Sequence, residues 1–294
     1  MTLTPQPDPS GIDTTAPPFR HYRSIQRLAP ARRGQTSGEH SRHQLYVGRD
    51  TRSSTNVLLK LTSKPGRVYE HDLANEAASL STINRELPDS PYFPLVHDHG
   101  RLADGRMYLI TSLFDELPLA TAIGTGGTPG KVVAHLRTAI AVAKALEGLH
   151  GLSIVHVDLN PMNILQRVEK DRPVVRVVDF ESSYEPARHS KGVFYSPPTT
   201  PLYSAPEVSH QTPDARADLF SLGAVLYTLL AGYQWTWGAE AGSCIERDEE
   251  LDPDLKEILL TAVAQEPDKR YPSVRQFHAA LAGYLERIWP GRSW

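Results

Sequence analysis

The sequence predicts an α+β chain in two parts: a small lobe of antiparallel β-strands with one helix, followed by a mostly helical lobe. Short apolar runs bounded by turn residues fill the first third of the chain, which is the pattern of strands and hairpins. One long amphipathic run interrupts them, and from Lys131 onward apolar residues recur at helical spacing. With 294 residues the chain is long enough for two lobes with a sizeable core.

Met1 to about Phe19 is rich in Pro and Thr, has little to bury and is expected to be disordered, so the boundaries read 1–19 for a tail, 20–113 for the first lobe and 114–294 for the second. Hydrophobic residues make up 40% of the chain and charged residues 22%, a globular balance. The net charge of −3 gives no general attraction to nucleic acid or to an anionic membrane. Cys244 is the only cysteine, which excludes an intrachain disulfide and suits a reducing, cytoplasmic compartment. No basic-then-apolar leader opens the chain. The longest apolar stretch, Leu219 to Tyr233, is short for a membrane span and contains Ser221, Gly223 and Thr228, so a buried helix is expected.

Within the first lobe, Leu45 to Val47 and Asn56 to Leu61 read as strands around a polar turn at 50–55. Lys60 sits inside the second strand, where an ammonium needs an anion. A helix is expected over about 67–87, with Leu73, Ala77, Leu80 and Ile83 as its apolar stripe. Glu76 falls on that stripe, so Lys60 and Glu76 break two apolar patterns together and are expected to pair; Glu70 is the fallback partner. A hairpin follows, turning at Asp104-Gly105. His97 and His99 share a strand, but no Cys or third ligand clusters nearby and no zinc site is expected.

In the second lobe, Lys131 to His150 is amphipathic with Gly151 as a C-cap candidate. His156-Val157-Asp158-Leu159-Asn160-Pro161-Met162-Asn163 follows it, and Asp179-Phe180-Glu181 comes later. Further on stand Thr200-Pro201-Leu202-Tyr203-Ser204-Ala205-Pro206-Glu207, then Asp218-Leu219-Phe220-Ser221-Leu222-Gly223, then a late Arg270. Asp252 with Pro253 reads as the start of a helix to about 264, and 272–288 as the closing helix.

These motifs, H-x-D-L-x-x-x-N, D-F, T-x-x-Y-x-A-P-E and D-x-x-S-x-G in that order, resemble those of the eukaryotic-like (Hanks-type) serine/threonine protein kinases over about Tyr22 to Ile288. The resemblance implies a bilobal protein-kinase-like fold with ATP between the lobes, and transfer of the γ-phosphate to Ser or Thr of a protein substrate, the chain itself included. It implies Asp158 as the base that orients the hydroxyl, and Asn163 and Asp179 as Mg²⁺ ligands. Lys60, paired with Glu76, meets the α- and β-phosphates, and Ser112, Leu113 and Phe114 form the hinge that holds adenine. The resemblance further implies that His156 buttresses the loop, that Asp218 holds its backbone, and that Glu207 pairs with Arg270.

The chain departs from the family pattern at several places. Of the phosphate-covering glycines only Gly38 remains, with His40 and His43 at the other two positions, where side chains obstruct close approach to phosphate. Val157 replaces an Arg that in many members binds a phosphorylated activation segment. Asn160 replaces a Lys, removing a cation from the transition state, and Glu181 replaces the Gly of D-F-G. Two other classes therefore stay open. H-x-D-L-N-P-x-N followed by D-F-E also resembles the choline and aminoglycoside kinase-like small-molecule phosphotransferases, and the eroded glycine loop fits a nucleotide-binding pseudokinase scaffold.

Overall fold

The computed structural model describes residues 12, 17–28, 43–124, 129–189, 202–233 and 241–290. The chain divides into two compact units, one drawn from Met1–Ala77 and Pro94–Asp115, the other from Ala78–Phe93 and Glu116–Trp294.

The first unit is built on a five-stranded antiparallel sheet: β1 (Tyr22–Arg27), β2 (His43–Asp50), β3 (Asn56–Thr62), β4 (Val96–Arg101) and β5 (Met107–Ser112), in the order β1-β2-β3-β5-β4. The period-2 alternation of the strands sorts the core. Val57, Leu59 and Leu61 of β3 join Tyr108 and Ile110 of β5 in a cluster with Phe19, Tyr22 and Tyr46. Leu109 points the other way and packs on Leu73 and Ala77 of helix α1 (Arg67–Glu86). The stripe read from the sequence is buried as expected, with Leu73, Ala77, Leu80 and Ile83 at most 2% exposed.

The turn after β2 is held by Asp50, whose carboxylate accepts from the Arg52 backbone N–H and bidentately from its guanidinium. Those Arg52 hydrogen bonds hold the Asp50 carboxyl down at about 2. The His97 ring meets Asp50 at 3.4 Å and the Ser112 hydroxyl at 3.3 Å.

The second unit carries α2 (Pro129–Gly151), α3 (Ala215–Ala231), α4 (Ala241–Arg247), α5 (Pro253–Ala262) and α6 (Val274–Ile288). Helix α3 is the apolar stretch read from the sequence and is buried from Ala217 to Leu230. Asp214 caps its start, accepting from the Arg216 N–H, and Gly232 ends it at φ 74°, the left-handed stop that glycine permits. Asp252 caps α5 as predicted, accepting from the N–H groups of Asp254 and Leu255. Gly151 does not cap α2: the helix runs through it, and the left-handed residue is Ser153 at φ 58°. The wrap is made instead by N–H groups of Leu152, Ser153 and Ile154 returning to Leu149 and His150.

A three-stranded sheet, β6 (Leu117–Pro118), β7 (Ile164–Glu169) and β8 (Arg172–Val177), was not expected in the helical lobe. Its β7–β8 hairpin turns through Lys170 and Asp171, both at positive φ. Among the described residues no helix is long and apolar enough to cross a membrane.

Candidate active site

The hairpin β7–β8 places the chemistry of the second unit. Ile164 lies opposite Val177, so the residues flanking the pair, Asn163 before and Val178 after, are brought side by side. The Val178 N–H closes this end by donating to the Asn163 carbonyl at 3.0 Å. Asp179 is the next residue, at φ 68°. An amide oxygen and a carboxylate sixteen residues apart in sequence thus share one end of one hairpin.

Asp158 is fixed to Asn163 through the loop: Asn163 Nδ2 donates to the Asp158 carbonyl at 2.9 Å, and the Asn163 N–H returns to the Asn160 carbonyl at 3.0 Å. Both side chains are buried. The base of the loop is tied to α3. Asp218, fully buried in the first turn of that helix, accepts the N–H groups of His156 and Val157 at 2.8 Å each, and His150 lies 2.8 Å from the same carboxylate. These bonds hold Val157 at φ 71°, a strained conformation for a β-branched residue. Its neighbour His156 acts as a strut, one ring nitrogen 3.0 Å from the Val178 carbonyl and the ring packed on Phe180.

Beyond Phe180 the backbone explains a departure from the family pattern. Glu181 is not among the residues at positive φ, so a side chain is accommodated where the family has glycine. Tyr184 then makes a two-way bridge to Val155, with both N–H···O distances 2.8 Å. Ser183, fully buried, meets Ser79 of α1 at 2.7 Å, and Arg188 donates to that same Ser79 hydroxyl. This anchor on α1 was not read from the sequence, where Ser79 is merely one small residue between Leu73 and Leu80.

In the first unit, Lys60 lies opposite Leu109, on the α1 side of the sheet. Its ammonium donates to Glu76 Oε2 at 2.6 Å, with the two side chains 12% and 3% exposed. Glu70 instead binds Arg101, whose guanidinium holds its carboxyl down at about 2. Ser112 ends β5 and its N–H donates to the Leu95 carbonyl, while Leu113 donates to Asn56. Phe114 follows and is half-buried.

His43 does not stand free at a glycine position. It is 9% exposed, with a ring nitrogen 3.3 Å from the Tyr69 carbonyl of α1. Gly38 and His40 lie outside the described residues, as do Thr200 and the stretch 190–201. Glu116, two residues after Phe114, is buried beside the guanidinium groups of Arg167 and Arg176, at 3.3 and 3.2 Å.

A protein kinase domain model matches residues 94–282. Serine/threonine-protein kinase Pkn1 of Myxococcus xanthus is 34% identical over 60% of this chain and 27% of its own length. Serine/threonine-protein kinase PknB of Mycolicibacterium smegmatis is 27% identical over 84% of this chain, and myosin light chain kinase A of Dictyostelium discoideum 26% identical over 76%. The chain spans 42% of that PknB and 73% of the Dictyostelium kinase. With more than half of its length matched by one domain model, and the hairpin, loop and α3 start carrying that domain's residues in order, the chain belongs to the protein kinase family.

Proposed function

We propose that the chain is an ATP- and Mg²⁺-dependent phosphotransferase that moves the γ-phosphate to Ser or Thr hydroxyls of a protein, itself included. One observation carries this reading above the others: the β7–β8 hairpin sets Asn163 and Asp179 together, and Asn163 in turn holds Asp158. The donor set fits a hard cation. Asn163 commits its Nδ2 to the Asp158 carbonyl, which leaves an amide oxygen, and Asp179 offers a carboxylate; oxygen ligands of this kind suit Mg²⁺. Asn163 and Asp179 would hold Mg²⁺ there, and the ion would supply charge neutralisation for the phosphate oxygens. Asp158 orients the acceptor hydroxyl and takes its proton, while Lys60, held by Glu76, meets the α- and β-phosphates. Ser112, Leu113 and Phe114 would hold adenine through their backbone groups.

A protein acceptor is favoured over a small molecule by Tyr203, Ala205, Pro206 and Glu207, which belong to the segment that shapes the protein-acceptor pocket in this family, and by the seating of Glu207 on Arg270. The cytoplasm is the compartment that a lone Cys244 suits. The test is transfer of labelled γ-phosphate by the purified chain with Mg²⁺, beside an Asp158→Asn control, with the labelled sites mapped by mass spectrometry. Label on Ser or Thr that vanishes in the control is expected. ATP binding with no label on protein would overturn the reading.

A further inference from the structure

We propose that Asn160 is a positioning residue, whose amide holds the Asp158 carboxylate and the loop around it in the geometry that phosphoryl transfer needs. The inference rests on Asp158 being the base, as read above, and gives a role to one of the residues that depart from the family pattern.

Asn160 is 1% exposed, so its amide must find its hydrogen-bond partners inside the protein. Its Nδ2 donates to the Asp158 carbonyl at 3.0 Å and lies 3.4 Å from Asp158 Oδ1. Its Oδ1 accepts the Met162 N–H at 2.9 Å. One side chain therefore touches the base, the base's own backbone and the turn that leads to Asn163. The Asp158 carbonyl is the shared point, because it also accepts Asn163 Nδ2 at 2.9 Å. Two amides, two and five residues downstream, converge on one oxygen and lock the spacing between the base and the candidate metal ligand.

This arrangement needs a group that both donates and accepts. An amide does so; an ammonium has three donors and no acceptor, and cannot take the Met162 N–H. At 3.4 Å the contact to Oδ1 is long for a hydrogen bond, so its value is in limiting rotation of the carboxylate and not in added affinity. The missing lysine is thereby exchanged for orientation: the loop gives up a mobile cation and gains a fixed base.

The test compares Asn160→Asp, Asn160→Ser and Asn160→Lys with the parent chain, reading kcat and the KM for ATP separately, with circular dichroism as the check on folding. Asn160→Asp keeps an acceptor for the Met162 N–H and loses the donor. Its kcat is expected to fall roughly 10- to 100-fold, the scale on which a misplaced reacting group acts, with the KM for ATP within about twofold of the parent. Asn160→Ser keeps a donor and an acceptor and is expected to retain more kcat than Asn160→Asp. Asn160→Lys is expected to fall below the parent.

A lysine variant at or above the parent kcat, or losses confined to KM, would overturn the proposal. If Asn160→Asp does not fold, the serine and lysine variants carry the same comparison. Transfer that is abolished in Asp158→Asn but intact in Asn160→Asp defeats the Asn160 role alone. Transfer that survives Asp158→Asn defeats the reading of the base, and the Asn160 role with it.

Discussion

Arg270 and Glu207, 63 residues apart, form a buried bidentate ion pair with both N···O distances 2.7 Å. The guanidinium is fully used. Beyond its two bonds to Glu207 it donates to the carbonyls of Ala264, Gln265 and Arg216, which accounts for all five N–H donors. It also lies over the Phe220 ring at 4.9 Å. The pair ties the turn at Pro206–Ser209 to the start of α3 and to the loop after α5.

Because every donor is paired, removing one partner leaves a buried charge without compensation. Arg270→Ala or Glu207→Gln is therefore expected to lower unfolding free energy by about 3–5 kcal/mol, the scale for breaking a buried pair. Arg270→Lys is no rescue, since three donors cannot replace five in fork geometry. Urea denaturation checks this, and a loss under ~1 kcal/mol for Arg270→Ala would sink it.

Gly223 makes a second packing prediction. A Cβ there would stand 2.9 Å from Ala262 Cβ and 3.0 Å from Val263 Cγ1, at the end of α5. In an open helix Gly→Ala gains about 1 kcal/mol. Here the contact atoms sit on a packed neighbouring element, and overpacking at roughly 1–3 kcal/mol outweighs that gain. Gly223→Ala is expected to lower the melting temperature; a rise would show that α5 yields.

Much of this was legible in the sequence because each feature broke a local rule. Lys60 and Glu76 were polar within apolar patterns, and their 2.6 Å contact answers both. Asp252 before Pro253 and the apolar run of α3 carried their own signals. The β7–β8 sheet was missed because its strands are short and half-exposed, with Arg and Glu along β7. The end of α2 was misread because glycine is only the commonest left-handed residue, and here Ser153 takes that role. Contacts such as Ser183 with Ser79, 104 residues apart, leave no trace in spacing. The role of Asn160 had a signal, its place two residues after Asp158, but not a sign: sequence alone reported a lost cation, whereas its side chain is turned back onto Asp158.

Acid sensitivity is expected at the β2–β3 turn. Arg52 lowers the Asp50 carboxyl from 3.8 to about 2 in the folded chain. A depressed acid stabilises the fold above its unfolded value and loses that contribution as pH falls through the folded value. The window is therefore from about pH 4 down to about pH 2. With Asp50 buried but Arg52 48% exposed, the contribution is on the order of 1–2 kcal/mol after screening. Asp50→Asn should be less stable than the parent at pH 7, with the gap narrowing below pH 4. A gap independent of pH would refute the assignment.

The pairing of Lys60 with Glu76 predicts how their losses combine. If Glu76 acts through the ammonium, Lys60→Ala should lower kcat/KM for ATP by roughly 100-fold, about 2.7 kcal/mol of transition-state stabilisation. Glu76→Gln should lower it by about 10-fold, since a neutral amide still offers an oxygen to the ammonium at the same position. The double variant should be no worse than Lys60→Ala alone, because a residue that works by placing another has nothing left to place. Additive losses, reaching about 1000-fold in the double variant, would mean that Glu76 acts independently of Lys60. Glu76 is only 3% exposed, so each variant needs its unfolding midpoint measured beside its rate; a loss of rate that tracks a loss of folded protein would count against the pairing as a functional one.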